Sequence, residues 1–263
     1  MIFQKQTMVG RVISQVFVIL ALALSTLPIF LIVVRSLNGG GLQNYLDVIE
    51  DTPFVLFVRN SVFVSITVVA IVLVASLGAA FVLDVLRPRG SALMAVAILS
   101  GLALPSIAII VPVYALMDRF GLINTFWAVI IPLSAISIPF GVLLTGNHMR
   151  GLPGELYEAA KLDGATSLQF LLRVLLPLSW QILAVVAVFT FLSAWNEYLL
   201  PLVFLQDLNL QVAAQLPTYF HGERQIVVPK LFAANVLISV PVLILYILLQ
   251  GQFRKGLSGG AIK

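Results

Sequence analysis

Apolar residues fall in six long blocks along this chain, at about 12–34, 61–83, 91–117, 123–146, 181–205 and 231–250, and charged residues bound each one. Crossing the hydrocarbon of a bilayer takes about 20 apolar residues at roughly 1.5 Å each, so every block predicts a transmembrane helix. One long stretch departs from this pattern. Residues 147–178 mix charge with leucines at helical spacing and predict short helices outside the membrane.

Composition sharpens the picture. The 263 residues are 60% hydrophobic and 10% charged, with a mean hydropathy of +1.09, which points to an all-α membrane protein with six transmembrane helices. No internal repeat or low-complexity linker divides the chain, so a single transmembrane domain over residues 1–263 is expected. Lys5 and Arg11 precede the first block as they would in a secretion signal. That block exceeds the 7 to 15 residues of a signal core, however, and no small-residue cleavage site of the A-x-A kind follows it, so it reads as a retained anchor.

Six crossings put both termini on one side. Lys5, Arg11, Arg87, Arg89, Arg150, Lys161, Arg173, Arg254, Lys255 and Lys263 then share a face, against Arg35, Arg59, Arg119, Arg224 and Lys230 on the other. Ten against five favours cytoplasmic termini and places residues 147–178 in the cytoplasm. Seven prolines, Pro28, Pro105, Pro112, Pro132, Pro139, Pro201 and Pro241, fall inside the blocks. Each removes a backbone donor and predicts a kink.

Within the cytoplasmic stretch, Pro153 suits the first turn of a helix, Glu155 and Glu158 sit at its positive end, and Gly164 stops it. Thr166 and Gln169 form a capping-box pattern for a second helix, which carries Leu168, Leu171, Leu172 and Leu175 and ends at Pro177. Ala159 and Ala160 leave a flat surface for close approach of another backbone. Docking and an interfacial hairpin lying on the membrane are both compatible with this pattern.

The segment ELYEAAKLDGATSLQFLLRVLLPLSW resembles the EAA loop of ABC importer permeases, with Glu158, Ala159, Ala160, Asp163, Gly164, Leu176 and Pro177 at the corresponding places. GLINTFWAVIIP, WNEYLLPLVFL and FRKGLSGGAIK are similar to the carbohydrate-uptake subfamily, the maltose-permease G-subunit type, from about Arg59 onward. The resemblance implies an ABC type I importer permease fold in the inner membrane of a prokaryote. It implies that the loop inserts into a cytoplasmic ATPase, that an ATPase dimer binds ATP and Mg, and that a second homologous permease subunit, usually a different chain, completes the path. An extracytoplasmic binding protein would deliver the sugar. The lipid bilayer is the remaining partner; nucleic acid is not among those expected.

No motor and no enzyme are expected on the chain itself. Gly251 and Gly256 have phosphate-loop spacing, but Leu257 occupies the lysine position. Cysteine is absent, and the two histidines, His148 and His221, fall on opposite sides of the predicted membrane.

Two groups remain as candidates for contact with a passing solute. Trp195, Asn196, Glu197 and Tyr198 interrupt the fifth block, and a carboxylate inside hydrocarbon costs about 2.5 to 3.5 kcal/mol on insertion scales. A sugar pathway and an aromatic belt at the outer interface remain open for this group. Asn124 and Trp127 read as interfacial anchors. Tyr219, Phe220 and His221 lie together in an outer loop that, by the resemblance, faces the binding protein. Rival readings are a permease for glycerol phosphate or its diesters, and a self-powered secondary carrier, which would show paired midplane charges or repeats.

Overall fold

The computed structural model describes residues 8–220 and 227–258. Every regular element among them is helical, as hydrocarbon requires of a chain that must satisfy its own backbone groups. In order these are α1 (Met8–Ser36), α2 (Gln43–Asp51), α3 (Phe54–Ala80), α4 (Ser91–Leu99), α5 (Ser106–Arg119), α6 (Phe126–Arg150), α7 (Glu155–Leu162), α8 (Ser167–Phe170), α9 (Leu176–Leu178), α10 (Trp180–Trp195), α11 (Leu199–Phe204) and α12 (Val228–Ser258).

Among the described residues, four helices are long and apolar enough to cross a membrane: α1 over Gly10–Ser36, α3 with its continuation to Leu86, α6, and α12 over Val228–Leu248. They correspond to the first, second, fourth and sixth blocks. The third block is one bent pair: Ser91–Ala103 meets Ser106–Arg119 at 105°. Pro105 is the cause, because it forces Leu104 into extended backbone (ψ 119°) and cannot donate to the preceding turn. A second bend, of 77°, separates Ser167–Leu178 from α10. Counting each bent pair as one crossing gives up to six, and of the second pair only α10 falls in the fifth block, Ser167–Leu178 belonging to the stretch expected outside the membrane. The fifth block is also broken, because its helix stops at Trp195 and restarts at Leu199.

The chain divides into two compact units. The first comprises residues up to Phe54 together with Leu216–Ser239. Here Ser36 Oγ lies 2.5 Å from Tyr45 Oη, and the Asn44 amide donates to the carbonyls of Ser36 (2.8 Å) and Asn38 (3.1 Å). Lys230 pairs with Asp47 (2.9 Å) and Asp51 (3.1 Å), so the start of α12 is tied to α2. The Gln43 amide, and then Lys230, hold the Asp47 carboxyl below its ordinary range.

The second unit is Val55–Gln215 with Val240 onward. Its centre is a cluster of Val64, Val68 and Val72 from α3, Val129, Ile130 and Leu133 from α6, Val186 from α10 and Phe204 from α11. Lipid tails are as apolar as these side chains, so close packing rather than water exclusion holds such helices together. Gly141 illustrates this. A Cβ there would lie 2.9 Å from the Ser76 Cβ and 3.3 Å from Val72, so only glycine lets α3 and α6 approach this closely.

A second cluster, Leu77, Ala80, Phe81, Met149, Phe170, Leu175 and Leu183, sits at one end of α3 and α6. At the other end three side chains bind an irregular strap. Asn60 donates to the carbonyls of Asn209 (2.8 Å) and Gln211 (2.9 Å), Ser61 Oγ accepts from Ala213 (2.8 Å), and Asn124 Oδ1 accepts from Gln206 (3.0 Å) and Asp207 (2.8 Å).

Candidate functional site

Local chemistry shapes the hairpin that follows α6. Helix α7 begins at Glu155, two residues after Pro153, whose carbonyl accepts from Leu156 (3.3 Å); the proline therefore precedes the first turn rather than lying in it. Glu155 and Glu158 occupy that first turn, where the helix dipole favours carboxylates. The helix ends in a Schellman motif. Gly164, at φ +75°, donates to Lys161 (3.0 Å), and Ala165 donates to Ala160 (2.9 Å).

The capping box of the second helix is complete. Thr166 Oγ1 accepts from the Gln169 backbone (3.3 Å), and Gln169 Oε1 accepts from the Thr166 backbone (2.9 Å). From Leu171 to Leu175 the helix widens into a π-turn before Pro177. In a regular α-helix the Pro177 ring would strike the Arg173 carbonyl, and the widened turn accommodates it. The helix consequently runs past Pro177 to Leu178, one residue beyond the stop expected from the sequence.

The inner face of this hairpin is pinned by Tyr157. Its ring lies 5.0 Å from Phe170 and 6.4 Å from Phe81, Lys161 Nζ sits 4.4 Å above it, and its hydroxyl is 3.2 Å from Ser167 Oγ. Ala160, Leu171, Val174 and Leu176 pack against the same cluster at the foot of α3 and α6. Where water is the alternative, fully burying one such side chain contributes about 1.5–3 kcal/mol. The hairpin is thus mechanically continuous with two long helices.

Its outer face is bare. Glu158, Ala159, Asp163, Gly164 and Pro177 are exposed, as are Leu168 and Leu172, and Leu162 is 89% exposed. The two alanines of the motif part company: Ala159 faces out while Ala160 packs inward, so the flat surface expected from both is offered by Ala159 alone.

Three contacts brace the hairpin's roots. Arg150, the last residue of α6, pairs with Asp84 below α3 and also binds Asn147. Gly146 makes the first of these possible, since a Cβ there would collide with the Asp84 carboxylate. His148 Nε2 donates to the Leu178 carbonyl (3.2 Å), joining α6 to the far end of the hairpin. A cavity of about 420 Å³ lies between these braces and α7, lined by Asp84, Arg150, Tyr157 and Glu158 among others.

The polar group after α10 is arranged differently. Trp195 is buried, at 2% exposure, and stacks on Phe191 with centroids 5.6 Å apart. A position in an exposed aromatic belt does not describe it. Asn196 is exposed and its amide donates to the Leu192 carbonyl (2.8 Å). Glu197 Oε1 accepts from the Leu200 backbone (3.0 Å), so the carboxylate caps the restarted helix α11. Tyr198 is half-buried at the break. Pro201 explains the break: in a continuous helix its ring would meet the Glu197 carbonyl, whereas in the first turn of α11 its missing donor costs nothing.

On the remaining loop, Phe220 is buried and Tyr219 is 38% exposed, the partial burial of its hydroxyl raising its pKa above the ordinary range. His221 lies outside the described residues. Trp127 is exposed at the start of α6, as an interfacial anchor would be. Asn124 is a clamp, held at φ +62° with its backbone donating to Phe204 (2.9 Å).

Tyr157, His148, Asp84 and Asn60 carry contacts that the sequence reading did not assign. For Tyr157 a signal was present, since it lies three residues before Ala160 on one helical face.

Residues 85–259 match the model of the family described as binding-protein-dependent transport system inner membrane component. The diacetylchitobiose uptake system permease protein NgcG of Streptomyces coelicolor is 33% identical, over 84% of this chain and 74% of its own length. The arabinooligosaccharides transport system permease protein AraQ of Halalkalibacterium halodurans is 34% identical, over 78% of this chain and 72% of that protein. A chain in the crystal structure of a bacterial ABC transporter involved in the import of the acidic polysaccharide alginate superposes with a TM-score of 0.78 at 20% identity, covering 95% of this chain and 99% of that one. The two chains share a fold.

Proposed function

Because the chain belongs to the family of binding-protein-dependent transport system inner membrane components, with the fold of an ABC importer permease, we propose that it forms half of the translocation path for a sugar or oligosaccharide in an ATP-driven importer. A second homologous permease, a different chain, lines the other half. Two ATPase subunits hold ATP and Mg and perform the hydrolysis, and an extracytoplasmic binding protein delivers the solute. Both termini are cytoplasmic. Carbohydrate is favoured because the named relatives carry diacetylchitobiose and arabinooligosaccharides.

One observation carries this reading: the hairpin from Glu155 to Pro177 is anchored inward by packing, yet exposes a surface with no use in the chain's own fold. In the proposed stroke the ATPase grips Glu158, Ala159, Asp163 and Gly164, while Leu176 and Pro177 sit at the hinge into α10. Closure of the ATPases moves the hairpin, and Tyr157 and the Arg150–Asp84 pair pass that displacement to α3 and α6. Of the group at the break, exposed Asn196 and half-buried Tyr198 are the residues proposed for contact with the solute. Tyr219 and Phe220 belong to the loop facing the binding protein.

The test is Gly164→Trp in the assembled transporter with its binding protein and labelled sugars. A Cβ at Gly164 meets no atom within 4 Å, so the first atom of the side chain is unobstructed and the cost within the chain is backbone strain at φ +75°. Membrane insertion should persist and ATP-driven uptake should be abolished. Normal uptake with the ATPase still bound would remove the coupling assignment.

A further inference from the structure

Beside the Arg150–Asp84 brace lies a second cavity, of about 300 Å³, on the side away from α7. Its chemistry is divided. Its apolar lining is Leu83, Ala92, Ala95, Leu99, Val142 and Leu143, and its polar lining is Asp84, Arg87, Ser91 and Arg150. Two guanidiniums face one carboxylate, Asp84, which leaves a net positive charge over an apolar slot at the end of the span Phe54–Leu86.

Arg87 supplies that excess. Among the described residues its guanidinium has no carboxylate in ion-pair reach; Asp84 pairs with Arg150 instead. Arg87 Nε donates to the Asp84 carbonyl (2.8 Å), which fixes the side chain beside the brace. The residue also sits at φ +48°, a left-handed conformation that a long side chain adopts only at a cost, with its backbone donating five residues back to Val82 (3.0 Å). Glycine would relieve that strain, and arginine stands there instead.

We propose that this cavity is a binding site for an anionic phospholipid, the headgroup phosphate held by Arg87 and Arg150 with Ser91 beside it, and the start of one acyl chain lying along Ala95, Leu99 and Leu143. A basic pocket with an apolar lining between helices, at the end of a span, suits a lipid headgroup and its tail together. A soluble phosphate compound matches the two arginines but leaves the apolar lining without a partner. The lipid would also touch Arg150 at the root of the hairpin, so occupancy would stiffen the foot of α3 against α6.

Native mass spectrometry of the full chain extracted from vesicles of phosphatidylglycerol and phosphatidylcholine tests this. One unbalanced arginine near the surface predicts about fivefold preferential retention of phosphatidylglycerol. Arg87→Ala should bring the ratio to parity, while Arg89→Ala, a neighbouring exposed arginine outside the cavity, should leave it unchanged. Ala95→Phe fills the slot without altering charge and should lower retention of both lipids, with its thermal melt in phosphatidylcholine reporting that the fold persists. Parity in the unaltered chain, equal loss from Arg89→Ala, or undiminished retention in a folded Ala95→Phe chain would each overturn the proposal. So would displacement of the lipid by excess glycerol phosphate, which would identify a free-anion site, or loss of the preference once the other transporter subunits are assembled, which would identify a protein interface.

Discussion

The hairpin at 155–178 and the break at 195–205 are built from the same materials: a proline in a helix, glutamates near a helix start, and a change of backbone direction. They differ in where their polar capacity goes. At the break, Glu197 caps α11, the Asn196 amide bonds the preceding turn, and Asn124 and Asn60 hold the strap that follows. In the hairpin the backbone closes on itself through a Schellman motif and a capping box, leaving Glu158, Ala159 and Asp163 outside. A polar residue beside hydrocarbon is therefore not by itself a solute ligand. Its bonds must first be counted.

The largest effect expected from this contrast is on transport. Ala159→Trp should cut uptake by about tenfold or more, equivalent to at least about 1.4 kcal/mol of lost coupling, with the melt of the chain unmoved. Ala160→Trp forces bulk into the Phe81–Phe170 cluster and should destabilise the chain by about 1–3 kcal/mol. Uptake assays paired with thermal unfolding separate the two. Equal melts for both variants would erase the distinction between the inner and outer faces.

At the strap the expected effect is on stability. Asn60 is 2% exposed and donates to two carbonyls. Asn60→Ala leaves both acceptors without that donor and should cost about 2–4 kcal/mol, at 1–2 kcal/mol for each. A melt within about 0.5 kcal/mol of the unaltered chain would mean that the clamp contributes nothing measurable.

Next comes the turn of the hairpin. Gly164→Ala meets no atom within 4 Å, so only backbone strain at φ +75° opposes it, and the cost should be about 1–2 kcal/mol. Gly164→Asn, which tolerates that conformation better, should recover part of the loss. A tryptophan that blocks uptake where alanine spares it would assign the effect to the docking surface and not to the turn.

This contrast also marks what was legible beforehand. Gly164, Thr166 with Gln169, and the six apolar blocks could be read because each signal acts over one to four residues or through simple length. Pro105 announced a kink, but its 105° amplitude goes with how α4 and α5 each pack against α6, which no local pattern states. Asp84 with Arg150, His148 with Leu178 and Asn60 with Asn209 join residues 66, 30 and 149 positions apart. Periodicity carries no information at such separations. Glu197 was visible as an expensive carboxylate, and the missing fact was its acceptor role toward Leu200, which arises only once Pro201 has broken the helix.

The smallest expected effect tests that role directly. In Glu197→Gln an amide oxygen remains to accept from the Leu200 backbone, so α11 keeps its cap and the melt should shift by less than about 0.5 kcal/mol. Glu197→Ala removes the acceptor and should cost about 0.5–2 kcal/mol, as lost caps generally do. Uptake then discriminates between cap and ligand. If the carboxylate serves only α11, the glutamine variant imports within about threefold of the unaltered chain, less than the tenfold that 1.4 kcal/mol would produce. If the carboxylate's charge itself touches the solute, import falls steeply in the glutamine variant while the melt stays put, and the break becomes a second functional surface instead of a self-contained joint.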